Sequence, residues 1–113
     1  EAAMSAAAFG LDNVCAILDY NKIQLDGPVN EVLSISDVRA KWEAFGWNAI
    51  EINGHDIAAI DAAFESAMRF KGKPSIIAHT IKGKGVSFME NTAKFHGLAP
   101  TDEELAQALE ELK

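Results

Sequence analysis

Asn21 is the polar residue of this chain whose sequence context points most directly to chemistry. Residues 18–27 predict the end of a buried strand at this asparagine, followed by an Asp-Gly turn. The carboxyl end of a parallel strand is where open α/β sheets bind ligands. The Asn21 amide oxygen and the backbone carbonyl of Ile23 are hard, neutral ligands suited to Mg²⁺ beside a phosphate. The alternative, which spacing alone favours, is that Asn21 only bonds its own backbone in a turn.

Two lysines form a second candidate site in residues 80–85, Thr-Ile-Lys-Gly-Lys-Gly. Lys82 and Lys84 follow a predicted strand, so their ammonium groups and nearby backbone N–H groups can face a phosphate. Gly83 and Gly85 allow the backbone to approach a ligand closely. The alternative is the solvated start of a flexible loop, which composition by itself favours.

His96 lies deep in a predicted loop of residues 81–100, and long loops in small domains are often functional. Its imidazole can donate to a phosphate or exchange protons near neutral pH; otherwise it is a surface or capping residue. His55 and His79 are weaker candidates, and His79 is predicted to be structural. Glu1, taken alone, is an exposed helix residue.

The elements that must position these residues alternate along the chain. Helices are predicted over 2–9, 36–45 and 57–70 and from residue 101, with strands over 14–18, 47–52 and 74–80. The order α-β-α-β-α-β-α predicts an α/β fold, a parallel sheet flanked by helices in three layers. The apolar run 14–18 predicts a strand buried on both faces.

Helix caps define several of these boundaries. Ser36 is the expected N-cap of the second helix and Asp56 that of the third, because both side chains can accept a backbone N–H. Thr101 followed by Glu104 is a capping-box pattern. Trp42 and Trp47 are expected to pack in the core.

Composition excludes several classes of function. The chain has 113 residues, 49% of them hydrophobic, which fits one small globular domain, and its net charge of -7 argues against a nucleic-acid-binding face. Its single cysteine, Cys15, is expected to be a buried small hydrophobe, and the lack of disulfides fits a cytoplasmic protein. No apolar run approaches the roughly 20 residues of a membrane span. The first residues read like the middle of a helix, so we expect a fragment of a longer polypeptide.

Taken in order, these clusters resemble a transketolase, and most closely the separate N-terminal subunit of the bacterial split type. The resemblance covers nearly the whole chain and is carried by residues 11–14, 19–27, 42–47, 54–56, 73–74, 80–85 and 96–97, together with the opening Glu-Ala. It implies a thiamine diphosphate-binding fold in which Asn21 and the Ile23 carbonyl ligate Mg²⁺ or Ca²⁺. It places Lys82 near the cofactor, His96 near the diphosphate and the substrate channel, and Glu1 in a carboxylate network at a dimer interface.

The chain departs from the family pattern in what it lacks. The Gly-Asp-Gly half of the cofactor motif does not occur in the sequence; by resemblance it belongs upstream of Glu1. The pyrimidine-binding domain is also missing and is expected on a C-terminal partner subunit in a homo- or hetero-oligomer. Residues 1–113 therefore read as the C-terminal part of a diphosphate-binding domain.

Three hypotheses follow. In the first, the chain is part of a transketolase of the pentose phosphate pathway, which transfers a two-carbon ketol unit between sugar phosphates; the fragment alone is expected to be inactive. In the second, it is an inert assembly module with an exposed sheet edge. In the third, it belongs to another thiamine diphosphate enzyme, such as a 1-deoxyxylulose-phosphate synthase or a dehydrogenase E1 component.

Overall fold

The computed structural model describes all residues, Glu1–Lys113. The chain divides into two compact units. The sheet unit contains Glu1–Tyr20 and Ser36–Thr80, and the loop unit contains Asn21–Ile35 and Ile81–Lys113. The sequence shows no boundary between them, because each unit is assembled from two separate stretches of chain.

The sheet unit is built on three parallel strands. The strands are β1 (Ala16–Tyr20), β4 (Asn48–Asn53) and β5 (Pro74–His79), and the helices are α1 (Ala2–Ala8), α3 (Val38–Ala44) and α4 (Ile57–Arg69). The sheet order is β1-β5-β4. Both β1 and β4 pair with β5 in parallel register, which places the carboxyl ends of all three strands at one edge. The predicted α/β class and parallel sheet are confirmed.

The core of the sheet unit lies on the central strand. Ile76 and Ile77 are 2% and 1% exposed, so β5 is buried on both faces. On one face Trp47, which directly precedes β4, is buried. Its indole N–H donates to the Ala3 carbonyl at 2.9 Å and so links α1 to the start of β4. Trp42 packs edge-to-face on Trp47, with ring centroids 5.0 Å apart. The predicted core role is confirmed for Trp47, whereas Trp42 is half-buried and packs against it.

The prediction for the first strand is wrong in its position and its burial. The strand begins at Ala16, two residues later than expected, and its residues alternate between half-buried and exposed. β1 is an edge strand of the sheet, and Ile17 on one of its faces is 60% exposed. Cys15 precedes the strand and is exposed, against the expectation of burial. Partial desolvation raises the pKa of its thiol, which disfavours the reactive thiolate.

Two of the three predicted helix caps are confirmed. Asp56 accepts from the N–H groups of Ala58 and Ala59 at 2.9 and 3.2 Å, and so begins α4. Thr101 and Glu104 form the capping box that begins the last helix, α5 (Asp102–Glu111).

The N-cap of α3 is Asp37 rather than Ser36. The Asp37 side chain accepts from the Ala40 N–H at 2.9 Å. Ser36 has a positive φ of 41°, so it turns the chain immediately before the cap.

The loop unit contains a hairpin that the sequence did not predict. Strands β2 (Ile23–Gln24) and β3 (Gly27–Pro28) are antiparallel and are followed by the short helix α2 (Val29–Val32). A 3₁₀ helix (Lys94–His96) and α5 (Asp102–Glu111) lie in the second stretch. The hairpin was missed because two-residue strands are too short to show a hydrophobic period. No helix combines the length and apolar composition that crossing a membrane requires.

Candidate functional site

Asn21 lies directly after β1, as predicted, and adopts the turn that the sequence also allowed. Its Oδ1 atom accepts a hydrogen bond from the Ile23 N–H at 3.0 Å. Lys22 between them has a positive φ of 66°, which is the backbone cost of this turn. An amide oxygen has two lone pairs, so the turn uses one and leaves one for a ligand. The turn and the metal-ligand hypotheses are therefore compatible.

The Ile23 carbonyl is available because of the hairpin register. Ile23 pairs with Pro28, which has no N–H to donate. The adjacent Val29 N–H donates to the Lys22 carbonyl at 2.9 Å. Hydrogen-bonded and non-hydrogen-bonded pairs alternate in an antiparallel ladder, so Ile23 and Pro28 form a non-hydrogen-bonded pair. The Ile23 carbonyl consequently points away from β3, where it can accept a cation.

Lys82 is the lysine whose environment suits an anionic ligand. It is half-buried, and its ammonium group takes part in none of the ion pairs of the structure. Its backbone is held by the Asn91 N–H, which donates to the Lys82 carbonyl at 3.0 Å. A half-buried cation without a counter-charge is unfavourable, and a bound phosphate would relieve that cost.

Gly83 and Gly85 do not form the open phosphate cradle that the sequence suggested. A Cβ added to Gly83 would lie 2.5 Å from the Met89 carbonyl oxygen, so the absence of a side chain at Gly83 allows the backbone of Met89 to approach closely. The Gly85 N–H donates to Glu90 Oε1 at 3.0 Å. Residues 83–85 do form a tight turn, but the close contacts of Gly83 and Gly85 are with the chain itself and stabilise the local fold.

His96 is exposed at the end of the 3₁₀ helix. Its N–H donates to the Ala93 carbonyl at 2.9 Å. The turn is tied to α5 by Lys94, whose ammonium group is 2.9 Å from Glu104 Oε1. The structure thus holds the backbone of His96 while leaving its imidazole accessible to a ligand.

The loop unit brings four of the five predicted site residues into one compact body: Asn21, Ile23, Lys82 and His96. Glu1 belongs to the sheet unit, where it is exposed and forms the N-cap of α1 without a side-chain hydrogen bond. No group of three or more His, Cys, Asp or Glu residues is placed to hold a metal ion. The metal hypothesis therefore depends on the two neutral oxygen ligands, Asn21 and Ile23.

His79 has the structural role that the sequence predicted. Its Nε2 atom is 2.7 Å from Glu51 Oε2 on the neighbouring strand β4. Its ring also packs edge-on against Tyr20 at the end of β1, with centroids 5.5 Å apart. These contacts link three strands on one face of the sheet.

Sequence reasoning missed three residues at the carboxyl edge of the sheet. The Thr80 hydroxyl donates to Asp19 Oδ1. Gly54, just after β4, donates its N–H to the His79 carbonyl at 2.9 Å. Each residue lies at or next to a strand end and within a segment that carries the resemblance, 19–27, 54–56 or 80–85, and those were the signals in the sequence.

Two carboxylates hold the second stretch of the loop unit together. Hydrogen bonds from the Ser87 backbone N–H, the Gln107 side chain and the Ser87 hydroxyl lower the pKa of Glu111. The Thr101 backbone N–H and Lys94 lower the pKa of Glu104. Donors that stabilise the ionised carboxylate are the cause in both cases.

Comparison with known proteins identifies the fold. Residues 1–113 match the family described as transketolase, thiamine diphosphate binding domain. The transketolase structure from Campylobacter jejuni superposes with a TM-score of 0.90 and 34% identity, covering 97% of this chain and 17% of that one. The predicted resemblance to transketolases and the expected partial fold of that type are confirmed.

Two curated relatives are named as transketolase subunits. The one from Phocaeicola vulgatus, for apulose-4-phosphate, is 43% identical over 113 residues, covering 99% of this chain and 40% of the relative. The 6-deoxy-6-sulfo-D-fructose transketolase subunit SqwG of a Clostridium species is 44% identical over 114 residues, covering 100% and 42%. The chain thus spans about two fifths of the length of these relatives. It belongs to the transketolase family, and residues 1–113 match the family's thiamine diphosphate-binding domain.

Proposed function

We propose that this chain contributes to a thiamine diphosphate-dependent transketolase that transfers a two-carbon ketol unit between sugar phosphates. The observation that supports this most directly is the Asn21–Ile23 turn at the carboxyl end of β1. There, one amide oxygen and one backbone carbonyl each retain a free acceptor position. Membership of the family supplies the cofactor class.

In this proposal the two oxygens ligate a divalent cation, Mg²⁺ or Ca²⁺, that neutralises the diphosphate of the cofactor. Lys82 adds a positive charge toward the diphosphate, which is consistent with its half-buried ammonium group. His96 donates to phosphate or substrate oxygens and can exchange protons, since its imidazole is exposed on a fixed turn. With these residues holding it, thiamine diphosphate would supply the carbanion chemistry that ketol transfer requires.

We further propose that the active assembly includes a second subunit with the pyrimidine-binding domain, and that the enzyme is cytoplasmic. The relatives named as subunits support a divided enzyme. The Glu1 carboxylate is exposed, as an interface residue of a free chain would be. The single cysteine fits a reducing compartment.

The alternative of an inert assembly module has one observation in its favour. Strand β1 is an uncovered edge, and the exposed Ile17 gives it an apolar face that another protein can cover. This alternative predicts association without binding of cofactor. The two hypotheses therefore differ in whether the assembled protein retains thiamine diphosphate.

The test is Asn21→Ala in the full-length subunit in complex with its partner. We expect the Mg²⁺ concentration for half-maximal retention of thiamine diphosphate, measured by equilibrium dialysis, to rise about 10-fold or more, as for loss of a metal-site residue. Asn13→Ala is a matched control, because it is the same substitution at an exposed turn residue that precedes the amino end of β1, away from the carboxyl ends of the strands. That variant should leave Mg²⁺ dependence unchanged. Equal effects of both variants would disprove the metal role of Asn21.

A further inference from the structure

Thr80 links the carboxyl ends of all three parallel strands. It directly follows β5, and its N–H makes a long hydrogen bond of 3.5 Å to the Tyr20 carbonyl at the end of β1. Its hydroxyl donates to the Asp19 carboxylate on the same strand. On the opposite side, its methyl group faces Gly54 at the end of β4, where an added Cβ would lie only 2.5 Å from Thr80 Cγ2. We call Asp19, Gly54 and Thr80 the threonine clamp.

The two branches of the threonine side chain depend on each other. A β-branched residue has few accessible χ1 rotamers, so a contact that fixes the methyl group also fixes the direction of the hydroxyl. The close approach of Gly54 to the methyl group thereby directs the hydroxyl toward Asp19. The clamp adds a side-chain bond at the point where the backbone ladder between β1 and β5 ends, at Tyr20 and His79.

The chain leaves the sheet shortly after Asp19 and again after Thr80, and the two segments that follow carry the proposed metal ligand and the lysine. Asp19 lies two residues before Asn21, and Thr80 lies two residues before Lys82. Fraying of either strand end would move the start of the segment that carries the metal ligand or the lysine. Misplacement of a ligating group by about 1 Å is enough to weaken a site substantially.

We propose that the threonine clamp is a positioning device for cofactor binding. Asp19, Gly54 and Thr80 contact neither cofactor nor substrate in this role, and they act through the segments that begin with Asn21 and Lys82. The inference rests on the proposed function, because it assumes that those segments bind Mg²⁺ and diphosphate. It predicts that the hydroxyl of Thr80 affects metal affinity out of proportion to its effect on stability.

The experiment compares Thr80→Val, Thr80→Ser and wild type in the full-length subunit in complex with its partner. Valine keeps the branched shape that packs against Gly54 but removes the hydroxyl. We expect the half-saturating Mg²⁺ concentration for thiamine diphosphate retention to rise about 10-fold, as for other positioning residues of metal sites. Serine keeps the hydroxyl and loses only the methyl contact that directs it, so we expect the value to return most of the way, to within about threefold of wild type, an effect of less than 1 kcal/mol.

A matched control separates positioning from simple destabilisation. Thr101→Val is the same substitution and also removes a side-chain hydrogen bond, the one that caps α5. It should lower the melting temperature of the cofactor-free protein without changing Mg²⁺ dependence. If Thr80→Val fails to assemble, Asp19→Ala removes the same hydrogen bond from an exposed position and carries the same expectation.

The outcomes are distinguishable. A wild-type assembly that retains no thiamine diphosphate would overturn the proposed function and the clamp's role with it. If wild type retains thiamine diphosphate, two results would overturn the role of the clamp alone. One is an unchanged Mg²⁺ dependence in Thr80→Val, and the other is a Thr80→Ser variant as impaired as Thr80→Val. A rise in Thr80→Val that Thr80→Ser reverses and Thr101→Val does not share would support it.

Discussion

Substitution of Gly54 by alanine tests the close packing at the carboxyl edge of the sheet. The added Cβ would lie 2.5 Å from Thr80 Cγ2, 3.0 Å from Ala78 Cβ and 3.3 Å from the His79 carbonyl oxygen. The first distance is well below a normal contact of about 3.5–4.0 Å between carbon atoms. Since Gly54 is not among the glycines with positive φ, the cost is steric rather than conformational.

The magnitude follows from which atoms can move. Overpacking a well-packed site costs about 1–3 kcal/mol, and Thr80 cannot rotate freely because χ1 of a β-branched side chain is restricted. We therefore expect Gly54→Ala to lower the free energy of unfolding by about 2 kcal/mol. Thr80→Ser removes Cγ2, so the closest remaining contact in the double variant is the 3.0 Å approach to Ala78.

The rescue by Thr80→Ser is the informative part of this prediction. In the Thr80→Ser background, Gly54→Ala should lower the free energy of unfolding by about 1 kcal/mol less than it does in the wild-type background. A coupling of this size is typical of residues in contact. The assay is urea unfolding of the full-length subunit for both single variants, the double variant and wild type. Unchanged m-values would show that the comparison of stabilities is valid.

The control is Gly97→Ala, whose added Cβ would meet no atom within 4 Å. It should change the free energy of unfolding by less than about 0.5 kcal/mol, as expected for a surface substitution. Strictly additive effects of Gly54→Ala and Thr80→Ser would refute the steric argument, because the clash would then lie with an atom other than Thr80 Cγ2.

Two further predictions concern α5. Thr101→Val removes the hydrogen bond of 3.2 Å to the Glu104 N–H and should lower the free energy of unfolding by about 1 kcal/mol in urea unfolding; no change would show that the capping box adds nothing to stability. The pKa of Glu111 is lower in the folded protein than its unfolded value of about 4.3. Its ionised carboxylate therefore stabilises the fold at a pH above the unfolded pKa, and this stabilisation is lost as the pH falls through the folded pKa. Acidification from about pH 6 to pH 3 should therefore destabilise wild type more than Glu111→Gln, with Glu110→Gln behaving like wild type; parallel acid curves for all three proteins would contradict the assignment.

Local sequence patterns predicted much of the fold. Asp56, Thr101 and Glu104 define helix starts through side chains that bond to backbone groups within three residues, so neighbouring residues carry the whole signal. The third strand was predicted to within a residue, because Pro74 begins it and its apolar run is long. Asn21 was found for the same reason: its place at the end of a strand is a property of adjacent residues.

The errors at the first strand have a tertiary cause. Strand β1 extends from Ala16 to Tyr20 because those residues pair with Ser75 to His79 on β5. The sheet order makes β1 an edge strand, and the face of β1 that carries Ile17 is exposed. An apolar run reports only that a segment can be buried, whereas the packing of other elements on the sheet decides which of its faces is covered.

The sequence by itself determined the types and order of the main elements, most of the helix caps and the identity of the candidate metal and phosphate residues. Only the tertiary structure revealed the threonine clamp. Asp19 and Thr80 are 61 residues apart in the chain, and they meet because two parallel strands in register bring their carboxyl ends together. Capping and turn formation act over a few neighbouring residues and can be predicted from them, but contacts across a parallel sheet depend on which strands pair and in what register.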